Sequence, residues 1–256
     1  MAIYYSVSDI HGHYNEFIKS LNKIDLSDKQ SKLILLGDYI DYGSQSFQVI
    51  SKIIELEKIY PKQIITLFGN HEEWFYDWLI LDNPTASAFP ETIKSFFSTE
   101  ELNYILKSNP NNFETGVRNE IRNNDKYIPF INWFQKRYED SRYFETENQI
   151  FVHAGIDEEA NNLWKDLTSP EIFTNKFPIT TGRFYKDIIS GHFASWEVAK
   201  DKSYLGKIYH DNKSHYFIDG DVKNSKIIPV ICYDTVKKSY QYSKNTSLLP
   251  KKFDRA

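Results

Sequence analysis

Five short segments of the chain place acidic, amide and imidazole side chains directly after strand-like runs of apolar residues. They cover residues 8–13, 37–43, 69–72, 153–155 and 191–193, and they hold five of the seven histidines. Functional groups of an open α/β sheet gather at the carboxyl ends of its strands, where loops can aim several side chains at one point. We therefore expect the five segments to meet at one site.

The donor types in these segments are Asp, His, Asp, Asn, His and His, a set that suits transition metals. Mixed oxygen and imidazole ligands favour Mn, Fe or Zn over Ca, which prefers oxygen ligands alone. No thiolate takes part, which excludes a structural zinc site of the cysteine type. One ion needs fewer donors than this, whereas two ions that share a bridging carboxylate would use them all.

Such a pair of ions would support the hydrolysis of phosphate esters. Two metals about 4 Å apart can hold a hydroxide, clamp a phosphoryl oxygen and lower the pKa of bound water to about 7. A histidine beside a carboxylate can protonate the departing alkoxide, which is worth about 10² to 10⁴-fold in rate. The single cysteine, Cys232, lies outside the five segments, so a cysteine-nucleophile phosphatase is not supported.

The elements that must position these segments alternate between strand and helix in the first third of the chain. Short apolar runs predict strands, and apolar residues spaced three and four apart predict helices. The predicted order is strand 3–7, helix 14–24, strand 32–36, helix 47–60, strand 63–68 and helix 73–81. This order predicts a sheet with parallel strands and covering helices.

The remaining chain departs from this alternation. Residues 82–145 are rich in aromatic residues and predict a mostly helical cap insertion, which would restrict the site to small substrates or stack on a base. Strand patterns resume at 148–152, 187–190, 216–218, 226–233 and 239–241. The last three are expected to be antiparallel strands joined by short turns. His210 and His215 flank a polar turn and are predicted to be exposed.

Composition predicts a soluble globular protein with a single domain over residues 1–256. The chain is 41% hydrophobic and 26% charged, and its mean hydropathy of -0.54, without an apolar run of about 18 residues, excludes a membrane protein. A net charge of -4 argues against general nucleic-acid binding. A single cysteine excludes an intrachain disulfide and predicts a reducing cytoplasm. The oligomeric state is left open.

The five segments match, in order, the pattern D-x-H-G, G-D-x-x-D-R-G, G-N-H-E, H-G/A-G and G-H between residues 9 and 192. The chain thus resembles the calcineurin-like metallophosphoesterases, and within them the phosphoprotein phosphatase branch. That branch includes bacterial Ser/Thr protein phosphatases and symmetrical diadenosine tetraphosphate hydrolases. The resemblance implies an α/β fold in which two mixed β-sheets pack face to face with helices on the outer sides.

The resemblance also implies a role for each matching residue. His71 would be the general acid, and Asp41 the carboxylate that orients it. Two Mn²⁺ ions are expected, with an Fe/Zn or Mn/Fe pair as the alternative. The implied metal ligands are Asp9 and His11 for the first ion, Asp38 as the bridge, and Asn70, His153 and His192 for the second ion.

One position departs from the family pattern. Tyr42 stands where the family carries an arginine that grips the substrate phosphate, and a phenol offers one hydrogen bond and no charge. Either another basic residue replaces that arginine, or the substrate carries less charge at this point. The candidates are Arg183, Lys165 and the insertion residues Arg118, Arg122, Arg137 and Arg142.

The pattern as a whole predicts a metal-dependent phosphoric ester hydrolase. The leading hypothesis is phosphomonoester hydrolysis of the Ser/Thr protein phosphatase type, with attack by a hydroxide that bridges the two metals. Its partner would be a phosphorylated protein or a small phosphoester. Cleavage of a dinucleoside polyphosphate or another phosphoanhydride is the alternative, and a non-catalytic metal-binding module is a third hypothesis.

Overall fold

The computed structural model describes residues 2–83 and 89–242. The strands are β1 (Ile3–Val7), β2 (Lys32–Leu35), β3 (Ile64–Thr66), β4 (Tyr143–Glu145), β5 (Gln149–Val152), β6 (Asp187–Ala194), β7 (Tyr209–His210), β8 (His215–Asp219), β9 (Ile231–Asp234) and β10 (Ser239–Tyr242). The helices are α1 (Tyr14–Leu21), α2 (Ser46–Ile59), α3 (Asn70–Leu79), α4 (Pro90–Phe96), α5 (Thr99–Ser108), α6 (Phe113–Asn123), α7 (Ile128–Glu139), α8 (Trp164–Leu167), α9 (Pro170–Asn175), α10 (Ser195–Ala199) and α11 (Val222–Ser225). Short 3-10 helices cover Asp125–Tyr127, Glu158–Leu163 and Lys202–Tyr204. Among the helices of the described residues, none has the length and apolarity needed to cross a membrane.

The strands form two five-stranded mixed sheets. The first has the order β10-β9-β1-β2-β3, in which β1, β2 and β3 are parallel and β9 and β10 are antiparallel. The second has the order β4-β5-β6-β8-β7, in which the three central strands are parallel and the two edge strands are antiparallel. This arrangement, with helices packed on the outside, confirms the predicted fold class.

The apolar side chains of strand β2 are buried on both faces of the first sheet. Successive side chains of a strand point to opposite faces. Leu33 and Leu35 pack outward into the cluster that contains Phe17 of α1. Ile34 packs inward with Ile189 of the second sheet. The strand is therefore buried on both faces, which accounts for its continuous apolar sequence.

Most of the aromatic residues of the insertion that the structure describes pack into the hydrophobic core. The described residues of the insertion form helices α4 to α7, in agreement with the predicted helical content. The ring of Phe75 in α3 lies 5.3 to 6.2 Å from the rings of Phe89, Phe96, Phe130 and Phe134. Aromatic pairs at such distances contribute about 0.5–1.5 kcal/mol each beyond their buried area. Residues 84–88 of the insertion lie outside the described residues, and a single domain over 1–256 stays a prediction.

Two expectations for the C-terminal part are wrong. The predicted strands at 216–218 and 226–233 are not neighbours, because β8 pairs with β6 in the second sheet and β9 pairs with β1 in the first. Only the β9–β10 hairpin is antiparallel as expected. His215 is buried rather than exposed, since its ring nitrogens lie 3.1 Å from Glu158 Oε2 and 3.2 Å from Asp211 Oδ2. These carboxylates provide the polar contacts that let a histidine enter the core.

Candidate metal centre

The five predicted segments meet at one end of the two sheets. Asp9, Asp38 and Asn70 follow β1, β2 and β3 of the first sheet, while His153 follows β5 and His192 lies near the end of β6. Within each sheet these strands run parallel, so their carboxyl ends lie side by side. The topology therefore places the predicted ligands at the edge where functional groups of such sheets gather.

Several predicted ligands sit on left-handed backbone, which non-glycine residues rarely adopt. The φ angles are +54° at Asp9, +46° at His11, +57° at Asp38 and +66° at His192. Each such residue costs about 1–3 kcal/mol and persists only where its surroundings impose the conformation. At these four residues the surrounding structure, rather than the φ preference of the residue itself, determines the backbone conformation.

Two glycines let the carboxylates of the site pack close to neighbouring backbone. A Cβ atom on Gly69 would lie 2.1 Å from Oδ1 of Asp38. A Cβ atom on Gly191 would lie 2.1 Å from Oδ2 of Asp9. Any side chain at either position would displace a predicted metal ligand.

Glu72 holds the loop after β2, a role that the sequence pattern did not assign. Its fully buried carboxylate accepts hydrogen bonds from the backbone N–H groups of Asp38 and Tyr39, both at 2.7 Å, and of Gly69 at 3.1 Å. Burial, together with the nearby charge of Asp38, raises the pKa of Glu72 to about 7. Glu72 lies in the 69–72 segment, directly after the predicted site residues Asn70 and His71. That position in the sequence is the signal from which a role for Glu72 can be predicted.

The first cluster of donors contains Asp9, His11, Asp38 and His71. The Nε2 atom of His11 lies 3.9 Å from Asp9 Oδ1 and 3.7 Å from Asp38 Oδ2. The Nδ1 atom of His11 donates to the carbonyl oxygen of Ile40 at 2.9 Å. That contact leaves the Nε2 lone pair directed at the carboxylates, as metal coordination requires.

The second cluster contains Asp38, Asn70, His153 and His192. The Nε2 atom of His153 lies 3.4 Å from Asp38 Oδ2 and 3.1 Å from Asn70 Oδ1. The Nδ1 atom of His192 lies 3.1 Å from the same amide oxygen. Asp38 Oδ2 is therefore shared between the two clusters.

The donor spacing fits two metal ions. Atoms that share an ion at bond lengths of about 2.0–2.2 Å lie roughly 3–4 Å apart. The donor atoms of His11, Asp38 and His71 lie within 4.8 Å of one another, as do those of Asp38, His153 and His192. All donors are oxygen or imidazole nitrogen, a set that suits Mn, Fe or Zn.

The titratable groups of the two clusters strongly shift one another's pKa values. Burial raises the pKa of Asp9, whereas the surrounding histidines, His153 foremost, hold the pKa of Asp38 far below its usual range despite its burial. Burial lowers the pKa of His153, but the adjacent Asp38 carboxylate outweighs burial and raises it to about 9. Burial and the charge of His153 lower the pKa of His192 to about 4. A divalent ion that binds to His153 would displace the proton that this histidine carries.

His71 and Asp41 form a hydrogen-bonded pair beside the two clusters. The Nδ1 atom of His71 lies 2.7 Å from Asp41 Oδ2, and its Nε2 atom lies 3.9 Å from Asp38 Oδ2. Burial alone would lower the pKa of His71, but the Asp38 charge and the Asp41 hydrogen bond raise it to about 9. The hydrogen bond to Asp41 favours the protonated imidazole, which is the form that a general acid needs.

Thr92 of α4 supports this pair from the insertion. Its hydroxyl donates to Asp41 Oδ1 at 2.6 Å and accepts from the backbone N–H of Asp41 at 3.0 Å. The side chain is fully buried and also contacts Ser46 Oγ at 3.1 Å. Thr92 lies 51 residues from Asp41 in the chain, and no motif marks it.

We predict that Thr92→Val lowers kcat about 10-fold without loss of bound metal, because the hydroxyl that orients Asp41 disappears while the volume is kept. Thr92→Ser keeps the hydroxyl and should retain most of the activity. Steady-state kinetics and metal analysis of both variants test this expectation. Equal kcat values for the Val and Ser variants would show that the hydroxyl does not act on the pair.

The clusters open into a cavity of about 470 Å³. Its lining includes Tyr42, His71, Trp74, His192 and Lys223. The ring of Tyr42 lies edge-on at 4.8 Å from the His11 ring and 5.3 Å from the His71 ring. Tyr42 is 54% exposed, so its phenol is accessible from the cavity.

The structure does not bring the predicted basic replacements to this cavity. Lys165 is exposed and pairs with Glu145. Arg183 is exposed and is absent from the cavity lining. The arginines of the insertion pair with other carboxylates: Arg118 and Arg122 with Asp82, Arg137 with Glu57 and Asp140, and Arg142 with Glu73.

Comparison with known proteins agrees with the fold and the motifs. The family model of the calcineurin-like phosphoesterases matches residues 5–224. The chain therefore belongs to the calcineurin-like phosphoesterase family, and the predicted family is confirmed.

Two curated relatives illustrate the range of this family. A PP2A-like serine/threonine-protein phosphatase of Candida albicans is 38% identical over 66 residues, which cover 26% of this chain and 16% of that protein. The symmetrical bis(5'-nucleosyl)-tetraphosphatase of Buchnera aphidicola is 31% identical over 103 residues, which cover 40% of this chain and 36% of that protein. The matches thus span well under half the length of either relative.

Solved structures share the fold over nearly the whole chain. A cold-active protein-tyrosine phosphatase of a psychrophilic Shewanella species has a TM-score of 0.56 at 13% identity, covering 94% of this chain and 80% of that chain. A protein serine/threonine phosphatase of Saccharomyces cerevisiae has a TM-score of 0.53 at 10% identity, covering 96% and 81%. At these identities the likeness concerns the fold alone.

Proposed function

We propose that this chain is a dinuclear metal-dependent phosphoesterase that hydrolyses phosphomonoesters in the manner of a Ser/Thr protein phosphatase. The observation that carries the proposal is the position of Asp38. Its Oδ2 atom lies 3.7 Å from a His11 nitrogen on one side and 3.4 Å from a His153 nitrogen on the other. A carboxylate shared in this way is what a pair of ions needs as a bridge.

In this proposal the residues at the edge of the sheets hold the two ions. Bound ions would supply Lewis-acid stabilisation of the phosphoryl oxygens and would lower the pKa of a water molecule. Mn²⁺ is the proposed metal, with an Fe/Zn or Mn/Fe pair as the alternative, because the donors combine oxygen and imidazole without sulfur. The proposed ligands are Asp9, His11, Asp38, Asn70, His153 and His192.

His71 has the contacts that the proposed general acid requires. Its Nδ1–H is held by Asp41, which leaves the Nε2–H facing the cavity. A proton at that atom can pass to the alkoxide as the ester bond breaks. Cys232, by contrast, is a buried free thiol whose pKa is raised by burial to about 12, which removes it as a nucleophile. A reducing cytoplasm as its location stays a prediction.

Hydrolysis of a dinucleoside polyphosphate is a second candidate. Trp74 and Trp196 line the cavity, and the Trp74 ring lies 5.1 Å from the ring of His71. Trp74 is 37% exposed, so part of its side chain is accessible to a base. This pair of tryptophans, rather than the aromatic insertion, favours the alternative.

Phosphate release from a phosphothreonine peptide and formation of ADP from diadenosine tetraphosphate, each measured with added Mn²⁺, separate the two functions. Asp38→Asn protein is the blank. We expect the peptide to be the better substrate. Preference for the dinucleotide would transfer the assignment to the second candidate. Tight metal binding without hydrolysis of either compound would instead indicate a non-catalytic metal-binding module.

A further inference from the structure

We propose that Lys223 and Tyr42 form an anion-binding subsite at the rim of the metal centre, where the Lys223 ammonium holds a phosphoryl dianion. The subsite deepens the proposed function, because it assigns a group that would bind the substrate phosphate. The chemistry it recognises is a tetrahedral oxyanion with two negative charges. A phosphoester and free inorganic phosphate share this chemistry.

The two side chains lie together beside the metal ligands. The Nζ atom of Lys223 lies 5.1 Å from the centroid of the Tyr42 ring, a cation–π contact. The same ring lies against those of His11 and His71. Lys223 and Tyr42 line the same cavity as Asp38. The ammonium is thereby placed next to the proposed catalytic groups rather than elsewhere on the surface.

Apart from Lys223, and from His71, whose proton is assigned to the leaving group, no described side chain of the cavity lining offers a dianion a fixed positive charge. Asp38, Glu197 and Asp221 all contribute to its lining and would repel a dianion. Within residues 2–83 and 89–242, Lys223 is the one lysine or arginine in that lining. Bound metal ions would offset the carboxylate of Asp38, whereas the rim would still depend on Lys223.

Lys223 is free to bind an anion. Within the described part of the chain, no carboxylate oxygen lies within 4.0 Å of its Nζ atom. The nearest sequence neighbour with a charge, Asp221, is already engaged by Trp196 Nε1 at 3.1 Å and by Asn224 Nδ2 at 2.9 Å. An ammonium without a carboxylate partner keeps its three donors for a ligand.

The fold fixes this lysine at the rim. Lys223 lies on α11, which follows the end of β8 after a turn in which Asp221 has a φ of +51°. Val222 is buried in the core and anchors the short helix, while Lys223 itself is exposed. A Cβ on Gly220 would lie 2.6 Å from the carbonyl oxygen of Ile227, so the turn is closely packed. The packed turn thus fixes the backbone position of Lys223, while its exposed side chain remains flexible.

Tyr42 would complete the subsite with a directional hydrogen bond. A lysine ammonium is a compact charge without fixed geometry, whereas a phenol hydroxyl donates in one direction. Tyr42 is held by its contacts with two imidazole rings. Lys223 would supply the positive charge, and Tyr42 would supply a directional hydrogen bond. An arginine guanidinium supplies both from one group.

Binding of inorganic phosphate to the Mn²⁺-loaded protein, measured by calorimetry, tests the subsite directly. We expect Lys223→Met to weaken phosphate binding about 10- to 100-fold and to raise KM for a phosphoester by a similar factor. Lys223→Arg should keep most of the affinity, and Tyr42→Phe should lose less than Lys223→Met. Lys226→Met is the matched control, because Lys226 is an exposed lysine three positions away that does not line the cavity.

The outcomes distinguish this proposal from the proposed function. If wild-type protein hydrolyses a phosphoester but Lys223→Met and Lys226→Met bind phosphate equally well, the subsite is wrong and the function stands. If Lys223→Arg loses as much affinity as Lys223→Met, the charge is not the reason and the proposal also fails. Phosphate binding that depends on Lys223 in a protein that hydrolyses no ester would support the subsite and contradict the function.

Discussion

Asp38→Asn is expected to abolish phosphate release and to weaken both metal sites. The Asp38 carboxylate lies within 3.9 Å of nitrogen atoms on His11, His71 and His153, and it is almost fully buried. An amide carries no negative charge, so it would hold two cations much more weakly than a carboxylate does. We expect kcat to fall at least about 1,000-fold, since metal ions contribute several kcal/mol of transition-state stabilisation.

Metal content and initial rates, measured on the same preparations, test this expectation. Asp166→Asn is the control, because Asp166 is an exposed carboxylate on α8 away from the cavity lining. The control should keep wild-type activity and two ions per chain. Asp38→Asn protein that still bound two ions with full activity would contradict the role of Asp38 as a bridge.

His71→Asn is expected to lower turnover about 10² to 10⁴-fold while metal content stays nearly unchanged. The His71 imidazole is held through Nδ1 by Asp41, an arrangement that suits proton transfer at Nε2. The same Nε2 lies 3.9 Å from Asp38 Oδ2, within the first donor cluster. His71 could therefore also be a metal ligand, and metal analysis of the variant separates the two roles.

The leaving group of the substrate gives a second way to test His71. A phosphothreonine peptide releases an alkoxide that needs a proton, whereas p-nitrophenyl phosphate releases a phenolate that leaves without one. The defect of His71→Asn should thus be much smaller with p-nitrophenyl phosphate, and His210→Asn, outside the cavity lining, should show no defect. Equal defects with both substrates, or loss of metal, would indicate a ligand rather than an acid.

The sequence allowed prediction of those parts of the fold and candidate site that depend on local pattern. Donor residues after strand-like runs predicted which loops meet, because parallel strands bring their carboxyl ends together. The apolar run over residues 32–36 predicts a strand, and the two core clusters show that this strand is buried on both faces. His71 and Asp41 are 30 residues apart, yet the motifs paired them and the structure places them at 2.7 Å.

The remaining features depend on tertiary packing, which leaves no local pattern. Thr92 reaches Asp41 from α4 only because the insertion packs beside α2 and α3, and its own neighbours in the chain carry no motif. Lys223 follows β8, which runs parallel to β6 in the second sheet, and it contacts Tyr42, which lies in the loop region after β2. The aromatic residues of the insertion looked equally suited to a cap, because ring packing and ring stacking on a base use the same residue types.

The most direct test of the account is a crystal structure of the Mn²⁺-loaded protein, with the anomalous signal of manganese used to locate the ions. We expect two peaks about 3.5–4 Å apart, with the Asp38 carboxylate between them. Asp9 and His11 should contact one ion, and Asn70, His153 and His192 the other. A single peak, or two peaks of which Asp38 contacts only one, would contradict the dinuclear centre.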